Sequence, residues 1–457
     1  MKSEIFQYKT VLAASPEEVF AWHKKPGAFE ALCPPWMDVD VVQSAGGLRT
    51  GGKVSLKIHC GPINVDWHLE HRNYIEGEQF QDVQTSGPFA AWEHTHKFNN
   101  TDRGCVLEDH IEFQMPVISV PGTPVSGLIR EELRRMFAYR KDVLTKQLSL
   151  NKMERIEPMN IAISGSHGLV GAALLPLLTT KGHSVKRLVR SGGAASNGDI
   201  SYSPNGSASD FSALNGIDAV VHLAGEGIAS SRWTEQKKIQ IRDSRVNVTR
   251  ALSEGLAKLA NPPKVLICAS AIGFYGDRGA EELDENSSSG EGFLAEVCRE
   301  WEAATSAAEA AGIRVVHLRT GIIMSPKGGA LAQMLTPFQM GAGGPIGNGK
   351  QYMSWIAIDD EAGAIHHCLT HDNVKGAVNL VAPQAVTNNE FTKALGKVLH
   401  RPTFCPVPDF AARLVFGEMA DALLLSSARV KPAKLLSSGY EFLYPEIEGA
   451  LHHVLGR

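Results

Sequence analysis

Three glycines could bring a backbone close to a phosphate group. Gly165, Gly168 and Gly171 follow the apolar run Asn160–Ser164 and precede a helical pattern over residues 172–180. A strand, a glycine turn and a helix start in this order allow a tight turn and close approach of the backbone to a pyrophosphate. The N–H groups at such a helix start bind anionic oxygens. The sequence therefore predicts a dinucleotide-binding turn here, with an ordinary glycine turn as the alternative.

The end of the next predicted strand favours a phosphorylated ribose. Residues 186–191 are basic and include no acid, whereas enzymes that bind NAD usually place a carboxylate there for the ribose hydroxyls. The guanidinium of Arg190 offers a fork of donors that matches the oxygens of a 2′-phosphate. We therefore predict NADP (NADPH) as the cofactor. The alternative is that Arg190 is a solvated charge at the end of a strand.

The glycine spacing and the segments after it resemble the short-chain dehydrogenases/reductases of the extended, epimerase-like type. Residues 218–225 resemble the fourth strand of that family, whose end lines the cofactor. In a later helix, residues 244–249 resemble a segment whose cofactor-facing asparagine is replaced here by Arg245. The resemblance implies cofactor contacts from Gly165, His167, Gly168, Leu169, Val170, Gly171, Arg190, Leu223, Ala224, Gly225 and Arg245.

The chain departs from that family where proton transfer is carried out. The turn Phe274–Gly276 is similar to one in sugar-nucleotide epimerases, and aligning on it places the family's catalytic serine or threonine at Ala271. The family's Tyr-x-x-x-Lys pair falls on Leu294 and Cys298, or one residue earlier on Phe293 and Val297. None of these side chains can replace a tyrosine hydroxyl whose pKa is tuned by a lysine.

Two hydroxyl groups nearby are the remaining candidates for catalysis. Ser270 precedes the turn and Tyr275 lies on it. We predict that they carry any proton transfer that occurs. The alternative is that Tyr275 is a packed turn residue and that Ser270 contacts the cofactor through its backbone.

Further segments over residues 159–455 resemble one branch, the atypical epimerase-like family. In that branch the dehydrogenase core is followed by a small C-terminal domain of unknown function. The segments that carry the resemblance are Glu226–Ile228, Ser231–Thr234, Leu318–Ile322, Gly328–Leu331, Gly341–Gly347 and Met353–Asp360. The glycine-rich stretch 341–349 could be a mobile flap over a substrate or a plain surface loop.

The first 150 residues have a different pattern. A strand over residues 5–12 precedes a helix start at Ser15–Glu18, and five or six strand-like runs follow between residues 39 and 113. An amphipathic helix over residues 127–148 closes the segment. This order resembles the START-like helix-grip proteins of the SRPBCC type. The resemblance implies a curved antiparallel sheet that holds the helix around an apolar cavity.

Histidines in this segment raise the question of a metal site. His94 and His96 are two residues apart in a predicted strand and so share one face. The segment otherwise has the alternation of a half-buried strand, and no cysteine or acid is placed as an evident third ligand. The sequence therefore predicts no metal.

The length and composition are typical of a protein with several domains, each with its own hydrophobic core. The 457 residues are 43% apolar and carry a formal net charge of −4, which argues against nucleic-acid binding. No run reaches the apolar length of a membrane span, and Met1–Glu4 leads into a strand instead of a signal peptide. The 7 cysteines are scattered without a CxxC motif, so we expect reduced thiols and a cytoplasmic location.

The predicted fold is an α/β Rossmann doubly wound parallel sheet with a small C-terminal lobe, preceded by an α+β helix-grip domain. We expect a START-like domain over residues 1–150, a linker over 151–158, an NADP-binding domain over 159–385 and a small domain over 386–457.

Two functions follow from these predictions. The first is an NADP-dependent epimerase-like or oxidoreductase-like enzyme that acts on an unknown, apolar small molecule captured by the N-terminal domain. The second is a non-catalytic NADP-binding regulator or scaffold with a protein partner, which the missing Tyr-Lys pair favours. Neither involves nucleic acid or a membrane.

Overall fold

The computed structural model describes residues 3–61, 63–115, 125–153, 157–190, 198–202 and 211–457. The chain separates into two compact units between residues 156 and 157. Residues 191–209 are rich in serine, glycine, alanine and asparagine, which predicts a loop around a short strand. Most of this stretch lies outside the described residues, as does part of the predicted linker. The finer domain boundaries stay predictions.

The N-terminal unit is built from one antiparallel sheet and three helices among its described residues. In chain order the elements are β1 (Glu4–Leu12), α1 (Pro16–His23), α2 (Ala28–Ala31), β2 (Val39–Ala45), β3 (Lys53–Cys60), β4 (Ile63–Ile75), β5 (Gln79–Ser86), β6 (Ala91–Thr101), β7 (Gly104–Gln114) and α3 (Val125–Met153). The strands lie in the order β1-β7-β6-β5-β4-β3-β2. The predicted strand runs and closing helix are confirmed.

Local sequence explains how this unit folds. Ser15 caps α1 in a capping box with Glu18, as the sequence predicts. Along β6 and β7 alternate side chains are buried, which turns one face of the sheet toward α3. On that face Phe137 of α3 packs with its ring centroid 5.6 Å from that of Phe6 and 5.4 Å from that of Tyr8. The helix therefore covers the inner face of the sheet.

The second unit alternates strands and helices. Its strands are β8 (Asn160–Ser164), β9 (Ser184–Arg190), β10 (Ile200–Tyr202), β11 (Ala219–His222), β12 (Val265–Ala271), β13 (Glu282–Leu283), β14 (Arg314–Thr320), β15 (Ile322–Met324), β16 (Tyr352–Met353), β17 (Trp355–Ala357), β18 (Gly376–Leu380), β19 (Val386–Thr387) and β20 (Arg429–Val430). Its α-helices are α4 (Leu169–Thr180), α5 (Glu235–Leu256), α6 (Phe293–Ala303), α7 (Ser306–Ala310), α8 (Gly329–Gln339), α9 (Ile358–Thr370), α10 (Asn388–Leu399), α11 (Asp409–Phe416), α12 (Ala433–Ser437) and α13 (Ile447–Leu455). Short helical turns also occur at Ser212–Leu214, Ile272–Tyr275 and Ala420–Leu425.

The main sheet of this unit is parallel and has helices on both faces. Its described strands lie in the order β10-β9-β8-β11-β12-β14-β18. On one face Leu174 of α4 and Ile365 of α9 pack against it, and on the other Leu252 of α5 and Ala308 of α7 do so. This is the Rossmann-like doubly wound arrangement that the sequence predicts. The strand order reverses between β8 and β11, which is where such sheets bind ligands.

The C-terminal part follows the prediction only in part. Thr387 precedes Glu390 by three residues, a spacing that predicts a capping box, and the structure has this box at the start of α10. The aromatic residues Tyr440, Phe442 and Tyr444 predict a strand over residues 437–444. This prediction is wrong, because α12 ends at Ser437 and a loop follows. The Asp360 carboxylate accepts the backbone N–H groups of Leu443 and Tyr444 at 2.7 and 2.9 Å, which replaces a strand partner.

The glycine-rich stretch 341–349 is packed against the chain that follows α10. The backbone N–H of Gly347 donates to the Val407 carbonyl at 2.8 Å, and that of Ile346 donates to Asn388 Oδ1 at 2.8 Å. A Cβ atom on Gly344 would lie 1.9 Å from the Cys405 carbonyl oxygen, so this approach requires glycine. These contacts agree with the second of the two predictions for this stretch, a plain surface loop instead of a mobile flap.

Each unit has its own buried clusters, so each should fold alone. We expect fragments 1–156 and 157–457 both to melt cooperatively in calorimetry, because Phe20, Phe113 and Phe137 belong to N-terminal clusters and Ile163 and Leu266 to clusters of the second unit. Aggregation of both isolated fragments would contradict this expectation. None of the helices described is long and apolar enough to cross a membrane.

Candidate functional site

The glycine turn after β8 has the geometry that its spacing predicts. Gly165 has φ +73°, a backbone conformation that glycine adopts without strain. A Cβ atom on Gly171 would lie 2.3 Å from the Gly165 carbonyl oxygen, so the first turn of α4 sits directly on the turn that precedes it. Gly168 occupies the N-cap of α4, and the N–H groups of Leu169, Val170 and Gly171 follow at the anion-binding end of the helix.

The chain after β11 lies against this turn. A Cβ atom on Gly165 would be 2.8 Å from the Leu223 carbonyl carbon and 2.9 Å from the Ala224 nitrogen. The Leu223 N–H donates to the Ser164 carbonyl at 3.2 Å, which holds the two strand ends together. The structure thus brings the predicted cofactor segments 165–171 and 223–225 side by side at the point where strand order reverses.

Arg190 stands at this edge of the sheet, on the last residue of β9. It pairs in register with Tyr202 of β10 and is exposed. Burial raises the pKa of the Tyr202 hydroxyl, and the charge of Arg190 and its hydrogen bond with Tyr202 oppose that rise. The guanidinium therefore contacts the end of β10 at this edge of the sheet.

A second charged group lies at the same edge. Lys237 of α5 donates to Glu226 Oε1 at 2.5 Å and to Ser230 Oγ at 2.8 Å, and its side chain is only 9% exposed. The hydrogen bond from Lys237 lowers the pKa of Glu226, and the charges of Arg190 and Arg245 add to that effect. Glu226 and Lys237 are 11 residues apart, and their spacing in the sequence does not predict this pair.

Arg245 makes hydrogen bonds within the protein, whereas the sequence predicts a contact with the cofactor. Its Nη2 donates to the Glu226 carbonyl at 2.9 Å and its Nη1 to the Ile241 carbonyl at 3.0 Å, while the guanidinium lies 5.1 Å from the Trp301 ring. These contacts hold the segment after β11 against α5. A further contact of Arg245 with the cofactor phosphates stays a prediction.

His167 projects from the glycine turn toward a second arginine. Its Nε2 lies 3.3 Å from Arg187 Nη1, and Arg187 forms a two-point pair with Asp199 at 2.9 and 2.8 Å. The turn thus carries a polar, basic flank on the side of β9.

The two candidate catalytic hydroxyls belong to one buried network. Tyr275 is 0% exposed, accepts a hydrogen bond from Arg319 Nη1 at 3.0 Å, and has Asn379 Oδ1 at 2.8 Å as an acceptor for its proton. Ser270 Oγ donates to Glu302 Oε1 at 2.8 Å. Tyr275 is thus the packed turn residue that the sequence left as an alternative, and proton transfer by either hydroxyl stays an untested prediction.

The network is centred on an ion pair that the sequence did not indicate. Arg319 Nε and Nη2 donate to the two oxygens of Glu302, each at 2.8 Å, and the side chains are 6% and 12% exposed. The guanidinium also lies 3.4 Å from the centre of the Phe274 ring. The pair joins β14 to α6 and fixes the turn 272–275 between them.

The positions aligned with the family's Tyr-Lys pair are apolar in character. Leu294 and Cys298 of α6 face Gly273, whose Cβ would lie 3.3 Å from Leu294 Cβ and 3.9 Å from Cys298 Sγ. Burial raises the pKa of Cys298 to about 11, so its thiol is neutral near pH 7. Among the described residues, the structure therefore has no Tyr-Lys pair at these positions, in agreement with the sequence.

A buried carboxyl lies on α9. Glu361 is 1% exposed; its Oε1 accepts a hydrogen bond from Thr320 Oγ1 at 2.8 Å, and its Oε2 has no hydrogen-bond partner among the described residues. Burial raises the pKa of Glu361 to about 8, since the ionised form would be poorly solvated.

Comparison with known proteins agrees with this geometry. The model of the NAD dependent epimerase/dehydratase family matches residues 161–381, and that of a domain of unknown function, DUF1731, matches residues 407–454. An epimerase family protein of Mycobacterium bovis is 42% identical over 297 residues, which are 65% of this chain and 98% of the relative. The chain belongs to this epimerase family.

Solved structures of other members of the epimerase family show the same fold. The crystal structure of a nucleoside-diphosphate sugar epimerase from Corynebacterium glutamicum is 34% identical with a TM-score of 0.81, and the match covers 99% of this chain and 90% of that one. The human epimerase family protein SDR39U1, solved with NADPH, is 34% identical with a TM-score of 0.60 over 65% of this chain and 99% of that one. The epimerase-like resemblance predicted from the motifs is confirmed.

The N-terminal unit of this epimerase family member holds a second polar cluster. The expectation that no acid accompanies His94 and His96 is wrong, because the register of the sheet places Asp82 opposite His94 and Asp109 opposite His96. Both acids come from neighbouring strands, so spacing within β6 could not show them. Burial would lower the pKa of His96, but hydrogen bonds with Asp109 and Asp82 raise it to about 9.

Proposed function

We propose that this protein binds NADPH at the junction of the glycine turn and the chain after β11. The observation that carries the proposal is the close approach of Gly165 to Leu223 and Ala224 beneath the N-terminus of α4. No larger side chain fits there, and the N–H groups of the helix start offer donors for a pyrophosphate. The human relative solved with NADPH supports the same cofactor.

Arg190 supports NADPH over NADH. It is exposed at the end of β9, beside the glycine turn, where a 2′-phosphate of the adenosine ribose would lie in a doubly wound sheet. Arg187 is held by Asp199 and so is less free to turn toward a ligand. We assign the 2′-phosphate contact to Arg190.

The proposed activity is that of an epimerase-like or oxidoreductase-like enzyme acting on a small molecule. The N-terminal unit, with its antiparallel sheet and covering helix, would be a START-like helix-grip domain that captures the substrate. NADPH would supply hydride chemistry when bound, and this chain's residues would bind and orient it. The second candidate, a non-catalytic NADPH-binding regulator with a protein partner, is favoured by one observation: Leu294 and Cys298 replace the proton-transfer pair.

The cofactor assignment is tested by the Arg190→Ala variant. Because a hydrogen bond to a charged group contributes about 1.5–3 kcal/mol, we expect NADPH to bind roughly tenfold more weakly or worse, with NADH affinity nearly unchanged. Nicotinamide fluorescence titration measures both affinities. The control is Arg250→Ala, which removes an exposed arginine of α5. Equal affinities of the unmodified protein for NADPH and NADH would contradict the assignment.

Turnover separates the two candidate functions. If the protein is a reductase, the wild type should oxidise NADPH in the presence of a carbonyl compound; if it is an epimerase, it should interconvert a sugar nucleotide and its epimer without net consumption of the cofactor. Absence of both reactions across a carbonyl and sugar-nucleotide panel, together with intact NADPH binding, would favour the regulator.

A further inference from the structure

The polar cluster of the N-terminal unit is built from two adjacent cross-strand rows. In one row His71 of β4, Asp82 of β5 and His94 of β6 are neighbours, and in the next Asp109 of β7 lies opposite His96 of β6. All five side chains point to the inner face of the sheet, which α3 covers. Five polar side chains in an otherwise aromatic interior need a physical reason.

The interior around the cluster is apolar. The Phe80 ring stacks on His96 with centroids 4.2 Å apart, and the Phe137 ring meets His94 edge-on at 5.7 Å. His94 and His96 are 5% and 6% exposed and Asp109 is 3% exposed. Burying ionised carboxylates in such surroundings costs free energy unless a cation compensates.

The central histidine of the cluster is held by both acids. His96 Nδ1 lies 2.8 Å from Asp109 Oδ1 in an ion pair. The His96 ring is more than nine-tenths buried between these carboxylates. Its opposite nitrogen, Nε2, lies 3.3 Å from Asp82 Oδ2.

We propose that Asp82, His94 and His96 form a binding site for a divalent transition-metal ion of the zinc type. One ligand atom from each of the three side chains lies within 4.8 Å of the other two. Ligand atoms at about 2.0–2.2 Å from a tetrahedral zinc are roughly 3.3–3.5 Å apart. The separation of 3.3 Å between His96 Nε2 and Asp82 Oδ2 already has that value.

Two further side chains support the three ligands as an outer shell. His71 Nδ1 lies 2.6 Å from Asp82 Oδ1, the oxygen that would face away from the metal. Asp109 Oδ1 lies 3.0 Å from His94 Nε2 and 2.8 Å from His96 Nδ1. Partners of this kind orient ligands in known metal sites, where a ligating histidine usually faces a carboxylate through its other nitrogen.

The composition of the site indicates its chemistry. Two imidazoles and one carboxylate suit zinc and other transition metals better than calcium or magnesium, which prefer oxygen ligands. Three protein ligands leave a coordination position for water or for an oxygen atom of a bound molecule. The site would therefore give the N-terminal unit a means of holding an oxygen-bearing ligand, independently of cofactor binding in the second unit.

The test is zinc binding by the full chain after treatment with a chelator. We expect one equivalent of Zn²⁺ per chain in isothermal titration calorimetry and a raised melting temperature of the N-terminal unit, because a ligand of the folded state stabilises it. Asp82→Asn should weaken binding by more than about a hundredfold. Asp109→Asn should weaken it by about 10–100-fold, the usual effect of losing an outer-shell partner.

The matched control is His68→Gln, which removes an exposed histidine of β4 outside the cluster. Its zinc affinity should equal that of the wild type. Should Asp82→Asn fail to fold, Co²⁺ bound to the wild type decides the matter, since ligation by the cluster gives intense visible absorption and a surface site of hexa-aqua character does not. Absence of stoichiometric binding, or equal zinc affinity in the wild type and Asp82→Asn, would overturn the proposal.

Discussion

Replacing Arg319 by methionine will lower the free energy of unfolding of the second unit by about 3–5 kcal/mol, the usual cost of removing one partner of a buried ion pair. Methionine fills a similar volume, so the loss comes from charge and hydrogen bonding. The Glu302 carboxylate, 12% exposed, would keep its charge without the two bonds that Arg319 donates. Tyr275 would also lose its donor. Urea unfolding followed by tryptophan fluorescence measures the change.

The double variant Arg319→Met/Glu302→Gln separates charge from packing. If an unpaired carboxylate causes the loss, neutralising it will recover a large part of the stability, and Ser270 can still donate to the glutamine oxygen. A double variant as unstable as the single one would show that packing of Arg319 on Phe274, and not its charge, is what matters.

Glu361→Gln will stabilise the second unit at alkaline pH and leave it nearly unchanged in acid. The folded state holds the proton of Glu361 up to a pKa of about 8, whereas the unfolded chain releases it near 4.5. The wild type therefore loses stability as pH rises through that window, because the folded state binds more protons than the unfolded chain. Since a tenfold change in an ionisation constant corresponds to about 1.4 kcal/mol, the gain above pH 8 is on the order of a few kcal/mol.

Urea midpoints of both proteins at pH 4.5, 6.5 and 8.5 test this expectation. The matched control is Glu441→Gln at an exposed position, which should leave the difference from wild type independent of pH. A gain for Glu361→Gln that is equal at all three values would mean that burial does not hold the proton.

Sequence alone predicts the parts of this fold that are determined by neighbours along the chain. The glycine turn at 165–171, the capping boxes at Ser15 and Thr387, and the alternation of β6 and β7 all follow from local rules, and the structure confirms them. The strand predicted over 437–444 failed because Asp360, far away in sequence, supplies the hydrogen bonds that a strand partner would have made.

Much of the candidate site depends on distant pairs and was beyond prediction. Glu302 and Arg319 lie on different elements and meet only because β14 runs beside β12, against which α6 packs. The acids beside His94 and His96 come from adjacent strands. Their positions can therefore be predicted only when the register between these strands is known. In each case the residue types were visible in the sequence, but the contact was not.

Inward-facing and outward-facing side chains alternate along β6, and this alternation also limits the register in which the strand can pair during folding. His94 and His96 face inward, whereas Glu93 and Lys97 on either side of them face solvent. A slip of one residue would send the histidines outside and bury a glutamate and a lysine among Phe80 and Phe137, without the acids that now stand opposite. Pairing of β6 with β7 in a register shifted by one residue is therefore strongly disfavoured.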